Sequence, residues 1–398
     1  MKVPNLNTLV VFAWIADRYV PAGKLRMSGR LAEFWYGDNF LQNGYALDPV
    51  RLPLTREVFT AEGLQGDLSV LGDALPDSWG RYLIKRRYNQ SLSDLQILSL
   101  DASQQRMGGL FFSSELGDSL VDEAHNMEWM LQFSHWLTDN SNAFPERLEF
   151  GSSAGGAKPK CLVQIDGQEW IAKFQPGNEP LNKPAIERGT LELAKACGIP
   201  VAESRLINLP DNKQALLIKR FDRDKKNPLH YMSGQTLCGV LFNDAGRVIN
   251  DTRSYLVLAD SLSRISSDPQ ADRVDLFRRI VFNILVNNHD DHVKNHGVIR
   301  SLDGRWRLSP AFDLLAGEGG SRDLAMAIGP EGCKATLDNL LQSVNSFGLT
   351  RREAIDEITT MLAGMQNWKQ LFEESGVTIH TINEIAWAIQ ESIDVSGL

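Results

Sequence analysis

The sequence predicts an α+β fold of two lobes, a β-rich N-terminal lobe and a mostly helical C-terminal lobe. Short apolar segments separated by turn residues occupy the first part of the chain, and apolar residues at helical spacing dominate its last third. A chain of 398 residues is also longer than a single hydrophobic core usually serves. We expect a small β-rich N-terminal subdomain at residues 1–60, the remainder of the N-terminal lobe at 61–225 and the helical C-terminal lobe at 226–398.

Composition narrows the class of protein. The chain is 43% hydrophobic and 23% charged, which is typical of globular proteins and not of disordered ones. Its net charge of -9 disfavours direct binding to nucleic acid and suits a basic protein partner better. The four cysteines show no zinc or disulfide pattern, and the longest N-terminal apolar run, Leu9 to Ala16, is too short to cross a membrane. These features predict a cytoplasmic protein without membrane contact.

The N-terminal subdomain is predicted from three strand-like segments. Leu9 to Ile15 is a continuous apolar run, residues 25–28 alternate in polarity, and Leu31 to Tyr36 is rich in aromatic residues. Two prolines near residue 50 then interrupt regular structure. A helix is expected to begin close to Asp77 or Ser78, either of which could cap it.

A Gly- and Ser-rich stretch at residues 151–160 precedes a predicted hairpin. Such a stretch can expose several backbone N–H groups to a phosphate, and Lys158 can add positive charge. It is not a Walker A loop, because no Gly-Lys-Ser/Thr follows at the required spacing. Two alternating strands, 161–165 and 169–174, come next and are joined by an Asp-Gly turn.

The second of these strands ends with Lys173. A helix predicted from Pro184 to Cys197 carries Glu187 in its first turns, where it could hold the strand lysine; Glu192 is the alternative partner. Further on, a buried strand at residues 215–218 leads into Lys219 and Phe221. We regard the Lys219 backbone and Phe221 as candidate contacts to an adenine base, with a solvated strand end as the alternative.

The polar stretch from Asn287 to Asn295 most needs a chemical explanation. A helix predicted from Asp272 to Leu285 leads into it, and a loop that merely turns in solvent rarely gathers so many hydrogen-bonding groups. A predicted hairpin around Asp303 follows, and its end brings Asp313 back towards the loop.

Asp290, Asn295 and Asp313 occur in the order that phosphoryl transfer requires. In protein kinases an Asp accepts the hydroxyl proton of the substrate, an Asn five residues later binds metal, and a later Asp holds magnesium across the phosphates. Gly-rich loop, strand lysine, helix glutamate, hinge, catalytic loop and metal aspartate then follow one another in kinase order. The sequence therefore predicts a kinase that uses ATP and Mg2+, with a bilobal protein-kinase-like fold.

Other classes of protein remain open on these residues alone. His289, Asp290, His292 and Asp313 could form the metal cluster of a metal-dependent phosphohydrolase. The chain could also be a non-catalytic binding module, such as a pseudokinase or a co-repressor. Locally, the polar stretch could be no more than a helix end capped by two asparagines.

Several segments resemble the HipA-like serine/threonine kinases, the toxin half of bacterial HipA/HipB toxin-antitoxin pairs. The likeness runs along most of the chain. It is carried by two N-terminal segments, the Gly-rich loop, the catalytic segment and the metal segment, which are Ala46–Leu54, Leu71–Gly80, Gly151–Lys160, Asn288–Asn295 and Leu308–Asp313.

This resemblance implies a role for individual residues. Asp290 would accept the substrate proton, with His292 beside it in the catalytic loop. Asn295 and Asp313 would bind Mg2+, and Lys173 would hold the phosphates of ATP. The implied ATP-binding set further comprises Ser153, Ala154, Gly155, Gly156, Ala157, Lys158, Lys219 and Phe221.

The resemblance also implies regulation and partners. Autophosphorylation of Ser153, or of the adjacent Ser152, would eject the Gly-rich loop and switch the kinase off. The substrate would be a cytoplasmic protein, such as an aminoacyl-tRNA synthetase whose phosphorylation arrests growth. A small helix-turn-helix antitoxin of the HipB type would be the partner, and DNA would be reached only through it. One departure is Asp291, at a position often occupied by Gly, where the extra charge could bind a second metal or repel phosphate.

Overall fold

The computed structural model divides the chain into two compact units. Unit 1 comprises Met1–Ala172, Arg220–Asp251 and Ile299–Arg305, and unit 2 comprises Lys173–Lys219, Thr252–Val298 and Trp306–Leu398. The division into lobes near residues 60 and 225 stays a prediction. The residues that the structure describes are 6–100, 106–114, 126–138, 158–175, 181–210, 213–242, 248–317 and 323–389.

The first part of the chain alternates strands with short helices. Its elements are β1 Thr8–Ile15, β2 Arg18–Ser28, β3 Leu31–Tyr36, α1 Asp38–Asn43, β4 Phe59–Glu62, α2 Ser69–Gly72, α3 Ser78–Tyr88, α4 Asp94–Leu100, β5 Leu110–Ser113, α5 Met127–Thr138, β6 Lys160–Ile165 and β7 Gln168–Phe174.

The second part contains the longer helices. Its elements are α6 Lys183–Ala196, β8 Ser204–Asn208, β9 Gln214–Lys219, β10 Arg223–Asp224, β11 Asn227–Pro228, β12 His230–Ser233, α7 Gly234–Cys238, β13 Leu241–Phe242, β14 Val248–Asn250, α8 Tyr255–Ile265, α9 Pro269–Leu285, β15 Gly297–Arg300, β16 Trp306–Leu308, α10 Leu337–Leu341, α11 Arg351–Met365, α12 Trp368–Glu374 and α13 Ile379–Ile385.

Unit 1 is built around a five-stranded antiparallel sheet with the strand order β4-β3-β2-β1-β5. β1 lies between β2 and β5 and is buried on both faces, which explains why its sequence is a continuous apolar run. On one face Val10 and Phe12 pack against Phe111 of β5. The three strands predicted for the N-terminal subdomain are confirmed by this sheet.

Helix α6 of unit 2 carries Glu187. It begins where the Asn182 side chain accepts a hydrogen bond from the N–H of Ala185 at 3.2 Å. Gly189 lets α12 pack closely, since a Cβ at this position would lie 2.7 Å from the ring of Phe372. The helix predicted here is confirmed, and these contacts fix the position of its buried face.

Helix α9 leads into the polar loop. The Asp268 side chain caps its start by accepting from the N–H of Ala271 at 3.2 Å. After its end at Leu285, Asn287 adopts the left-handed conformation with φ 49°, which commonly terminates helices. The chain therefore leaves the helix shortly before Asp290.

The C-terminal helices agree with the sequence patterns in part. Thr350 and Glu353 form a capping box at the start of α11, a pattern of Thr and Glu three residues apart that the sequence shows, with each side chain accepting from the backbone N–H of the other. Apolar residues at helical spacing indicate a last helix over about residues 381–393; α13 begins at Ile379, because Thr378 caps it, and residues from 390 lie outside the described part. None of the described helices has both the length and the apolar character needed to span a membrane.

His230 should make the stability of unit 1 depend on pH. It is buried, and its Nε2 donates to the carbonyl oxygen of Leu47 at 2.8 Å. Burial lowers the pKa of His230 from 6.5 to about 4. Between pH 6.5 and about pH 4 the unfolded chain binds a proton at this histidine and the folded chain does not, so stability is lost as the pH falls. We expect this group to lower the free energy of unfolding by about 2 kcal/mol between about pH 7 and about pH 4.5.

Urea denaturation of the wild type and His230→Gln at both pH values measures this contribution. Glutamine can still donate to the Leu47 carbonyl but does not titrate, so the variant should lose less stability on acidification. Equal losses in both proteins would show that His230 is not responsible.

Candidate active site

Lys173 pairs with two carboxylates of unit 2. Its Nζ donates to Oε1 of Glu187 at 2.6 Å and to Oδ1 of Asp313 at 2.5 Å. The side chains of Lys173 and Glu187 are 13% and 9% exposed, whereas that of Asp313 is 40% exposed. The alternative partner, Glu192, instead pairs with Arg188 on α6. The structure therefore brings Lys173 to Glu187 and Asp313, and leaves Glu192 elsewhere.

The surroundings of Lys173 keep its amine charged. Burial by itself lowers the pKa of Lys173, but the carboxylates of Asp313 and Glu187 outweigh burial and raise the pKa above its ordinary value. An ammonium group that stays charged and is fixed by a buried glutamate suits the binding of phosphate oxygens.

Asp313 is held in an uncommon backbone conformation. Its φ is 59°, in the left-handed region that few residues other than glycine adopt, and such residues concentrate at functional sites. The segment before it is fixed by two backbone bonds, from the N–H of Ala311 to the oxygen of Pro200 at 2.8 Å and from the N–H of Ala202 to the oxygen of Ala311 at 2.9 Å. The Asp313 carboxylate consequently has a defined place beside Lys173.

The loop after α9 exposes Asp290 between two buried neighbours. His289 is 8% and Asp291 is 1% exposed, whereas Asp290 is exposed. The N–H of His292 donates to the Asp290 carbonyl oxygen and that of Asn295 to the His292 carbonyl oxygen, both at 2.8 Å. These bonds fold the loop into a tight turn in which Asp290 is exposed.

The Asn295 side chain contacts the backbone of Asp290, since its Nδ2 donates to the Asp290 carbonyl oxygen at 3.5 Å. Its amide oxygen and the Asp313 carboxylate are hard oxygen donors of the kind that Mg2+ prefers. Among the residues that the structure describes, no group of three or more His, Cys, Asp and Glu side chains is placed to hold a metal ion. Mg2+ does not need such a group, because it is usually held by one or two protein oxygens together with substrate phosphates and water. The donor set therefore fits Mg2+.

The histidines of the loop do not form the cluster of the phosphohydrolase alternative. Nδ1 of His289 lies 3.0 Å from the carbonyl oxygen of Asp323, and its Nε2 lies 3.0 Å from Oδ1 of Asn287. Both ring nitrogens that could bind a metal are thus engaged in hydrogen bonds. His292 is half-buried and bonds to Asn295 through its backbone, so its catalytic role stays a prediction.

The predicted Gly-rich loop lies outside the described residues. The ATP-binding and phosphorylation positions in it are Ser152, Ser153, Ala154, Gly155, Gly156 and Ala157. Lys158 comes directly after them and is half-buried ahead of β6. The roles of all seven residues stay predictions.

The predicted hinge follows β9. In unit 2 the N–H of Lys219 donates to the carbonyl oxygen of Glu203 at 2.8 Å, and its Nζ pairs with the Glu203 carboxylate at 3.1 Å. In unit 1 the ring of Phe221 lies 6.3 Å from that of Tyr231. The Lys219 N–H is thus used within the sheet. The roles of Lys219 and Phe221 in binding a nucleotide stay predictions.

A buried charge network next to Phe221 was not predicted. Asp222 accepts from the N–H of Gly108 at 2.7 Å and pairs with Arg220 and Arg223 at 2.7 and 2.9 Å. Burial raises the pKa of Asp222, but the two guanidinium groups outweigh it and lower the pKa to about 2. The sequence could not reveal this, because Gly108 is far away along the chain.

Asp291 also differs from its prediction. The structure supports neither of the roles suggested from the sequence, binding a second metal or repelling phosphate, because the carboxylate is buried and hydrogen-bonded to three protein side chains, those of Tyr255, Asn283 and His296.

Comparison of whole structures defines the class of protein as kinase-like in fold. The structure of HipA from Shewanella oneidensis, solved with HipB and operator DNA, matches with a TM-score of 0.69 over 96% of this chain and 94% of that chain, at 19% sequence identity. The α+β protein-kinase-like fold predicted from the sequence is thereby confirmed.

The chain belongs to the HipA-like family. The HipA-like C-terminal domain matches residues 152–368, which is more than half of the sequence. The family predicted from the sequence motifs is therefore confirmed. The matched region includes the loop that carries Asp290.

Three relatives in sequence are described as kinases. A candidate kinase from Haemophilus influenzae is 25% identical over 289 residues, which cover 61% of this chain and 84% of that protein. A candidate kinase from Sinorhizobium fredii is 32% identical over 161 residues, 38% of each chain. The serine/threonine-protein kinase toxin HipA of Shewanella oneidensis is 25% identical over 238 residues, which cover 52% of this chain and 54% of the toxin.

Proposed function

We propose that the protein is an ATP-dependent protein serine/threonine kinase of the HipA type that uses Mg2+. The observation that supports this most strongly is the group formed by Lys173, Glu187 and Asp313 in the same unit as the exposed Asp290. A strand lysine held by a helix glutamate, with a metal-binding aspartate beside it, is the arrangement by which kinases bind nucleotide phosphates.

Each residue has surroundings that suit its proposed role. Lys173 stays charged and binds phosphate oxygens. Asn295 and Asp313 hold Mg2+, which neutralises charge on the phosphates when it is bound. Asp290 is exposed on a fixed loop and accepts the proton of the substrate hydroxyl as it attacks. Catalysis would thus come from positioning and charge neutralisation, without a covalent intermediate.

The substrate and partners follow from the family resemblance. The substrate would be a cytoplasmic protein, with an aminoacyl-tRNA synthetase as the example that the resemblance suggests, and its phosphorylation would arrest growth. A small antitoxin of the HipB type would bind the kinase and connect it to DNA. The solved Shewanella relative is in complex with HipB and operator DNA, and the net charge of -9 suits a basic companion. Autophosphorylation of Ser153 or Ser152 would silence the enzyme.

Incubating the purified protein with γ-labelled ATP tests this function. We expect label on the protein when Mg2+ is present and none when EDTA is added, with phosphoserine mapped to Ser152 or Ser153. A Ser152→Ala/Ser153→Ala variant should lose the self-label but still bind nucleotide. Phosphate release without labelled protein would favour the phosphohydrolase, and a folded protein that binds no nucleotide would favour the binding module.

A further inference from the structure

The carboxylate of Asp291 connects two helices to the loop that carries Asp290. Its Oδ2 atom accepts hydrogen bonds from the Tyr255 hydroxyl, from Nδ2 of Asn283 at 2.6 Å and from Nε2 of His296 at 2.9 Å. Tyr255 begins α8, Asn283 lies in the last turn of α9, and His296 follows the loop. Three donors from three separate segments therefore converge on one oxygen atom.

These four residues are almost completely buried. Tyr255 and Asn283 are 0%, Asp291 is 1% and His296 is 2% exposed. A buried carboxylate needs hydrogen bonds, and the three that Oδ2 accepts are stronger than bonds to a neutral acceptor. The position of Asp291 is therefore defined more tightly than that of a surface loop residue.

Asn283 also anchors the loop on the other side of Asp290. Its Oδ1 accepts from Nδ2 of Asn288 at 2.9 Å, and its backbone carbonyl oxygen accepts from the N–H of Asn288 at 2.9 Å. The chain is thus tied to α9 at Asn288 and at Asp291, two positions that flank Asp290 closely. Of the two residues between these positions, His289 is buried and Asp290 is exposed.

We infer that Asp291 is a positioning residue for phosphoryl transfer, which holds the loop so that Asp290 and Asn295 keep their places relative to α9. This inference rests on the proposed kinase function. A displacement of about 1 Å in a catalytic group can lower a rate about 100-fold, so loosening this anchor should affect the chemical step. ATP binding should change little, because Lys173 and Glu187 are held by other elements.

The test compares Asp291→Asn with a matched variant, Asp272→Asn. Asp272 is another buried carboxylate, 3% exposed, but it lies in α9, and its donors Ser266, Arg307 and Leu308 are all outside the loop. We expect Asp291→Asn to lower kcat by about 10- to 100-fold, with the Kd for ATP changed less than about threefold. Asp272→Asn should lose comparable thermal stability and keep its kcat at a temperature where both variants are folded.

A double-mutant cycle with Asn283→Ala and hydrogen exchange complete the test. If the side chains of Asp291 and Asn283 act as one anchor, kcat of the double variant should equal that of the less active single variant. A double variant whose loss of kcat is the product of the two single losses would overturn the inference. A kcat for Asp291→Asn equal to that of the wild type would also overturn it.

Hydrogen exchange separates this inference from the proposed function. Asp291→Asn should accelerate exchange of the amides at 289–296 by about tenfold or more, with residues outside the loop unchanged. A wild-type protein that transfers no phosphate would refute the kinase function, and exchange alone would then decide whether Asp291 anchors the loop. Unchanged exchange at 289–296 would refute the role of Asp291 even in an active kinase.

Discussion

Replacing Asp290 with asparagine is expected to lower kcat for phosphoryl transfer by about 100- to 10,000-fold, the range typical of a lost general base. Asparagine has nearly the same size but does not accept the proton of the attacking hydroxyl. Because the Asp290 side chain is exposed, the free energy of unfolding should change by less than about 0.5 kcal/mol. Steady-state transfer from labelled ATP and urea denaturation measure the two quantities on the same preparation.

Asp338→Asn is the matched control for this experiment. Asp338 is another exposed aspartate of unit 2, in the first turn of α10, and no chemical role is assigned to it. The control variant should retain wild-type kcat. Equal activity of the Asp290 variant and the wild type would remove Asp290 from the mechanism, whereas equal loss in both variants would point to a general effect of charge removal.

The ion pair of Lys173 and Glu187 could be predicted because both residues lie in regular elements. Alternation of apolar residues placed Lys173 at the end of a strand, and the proline and glycine that flank the next helix placed Glu187 in its first turns. Regular elements have a fixed geometry, so a pattern of residue types carries information about direction. The spacing between Asp290 and Asn295 was informative for a different reason, since it matches a known catalytic loop.

The roles of Asp291 and Asp222 could not be predicted in the same way. Both lie in irregular segments, where no period links sequence position to the side on which a side chain points. Their burial depends on partners far away along the chain, such as Tyr255 for Asp291 and Gly108 for Asp222. A run of charged residues is usually solvated, so the sequence favoured exposure in both cases. Only the tertiary structure shows that both carboxylates are buried and hydrogen-bonded.

Lys173→Met is expected to reduce both activity and stability. Activity should fall because the contact to the phosphate is lost, and stability should fall because the contact to Glu187 is lost. Loss of the ammonium group that binds phosphate should lower kcat/KM for ATP by about 100- to 1,000-fold. Removing the same group from beside Glu187, which is 9% exposed, leaves a buried charge less compensated, and such changes destabilise proteins by about 3–5 kcal/mol. Asp313 is 40% exposed and can be hydrated instead.

Adding Glu187→Gln to Lys173→Met should separate the two effects. The double variant removes the buried carboxylate charge, so it should regain most of the lost free energy of unfolding while kcat/KM for ATP stays as low as in the single variant. The pair Arg188 and Glu192 on the same helix is the matched control, because its side chains are 20% and 28% exposed. Replacing Arg188 by Met should change stability by only about 0.5 kcal/mol. Recovery of kcat/KM in the double variant would show that Lys173 acts by stabilising the fold and not by binding phosphate.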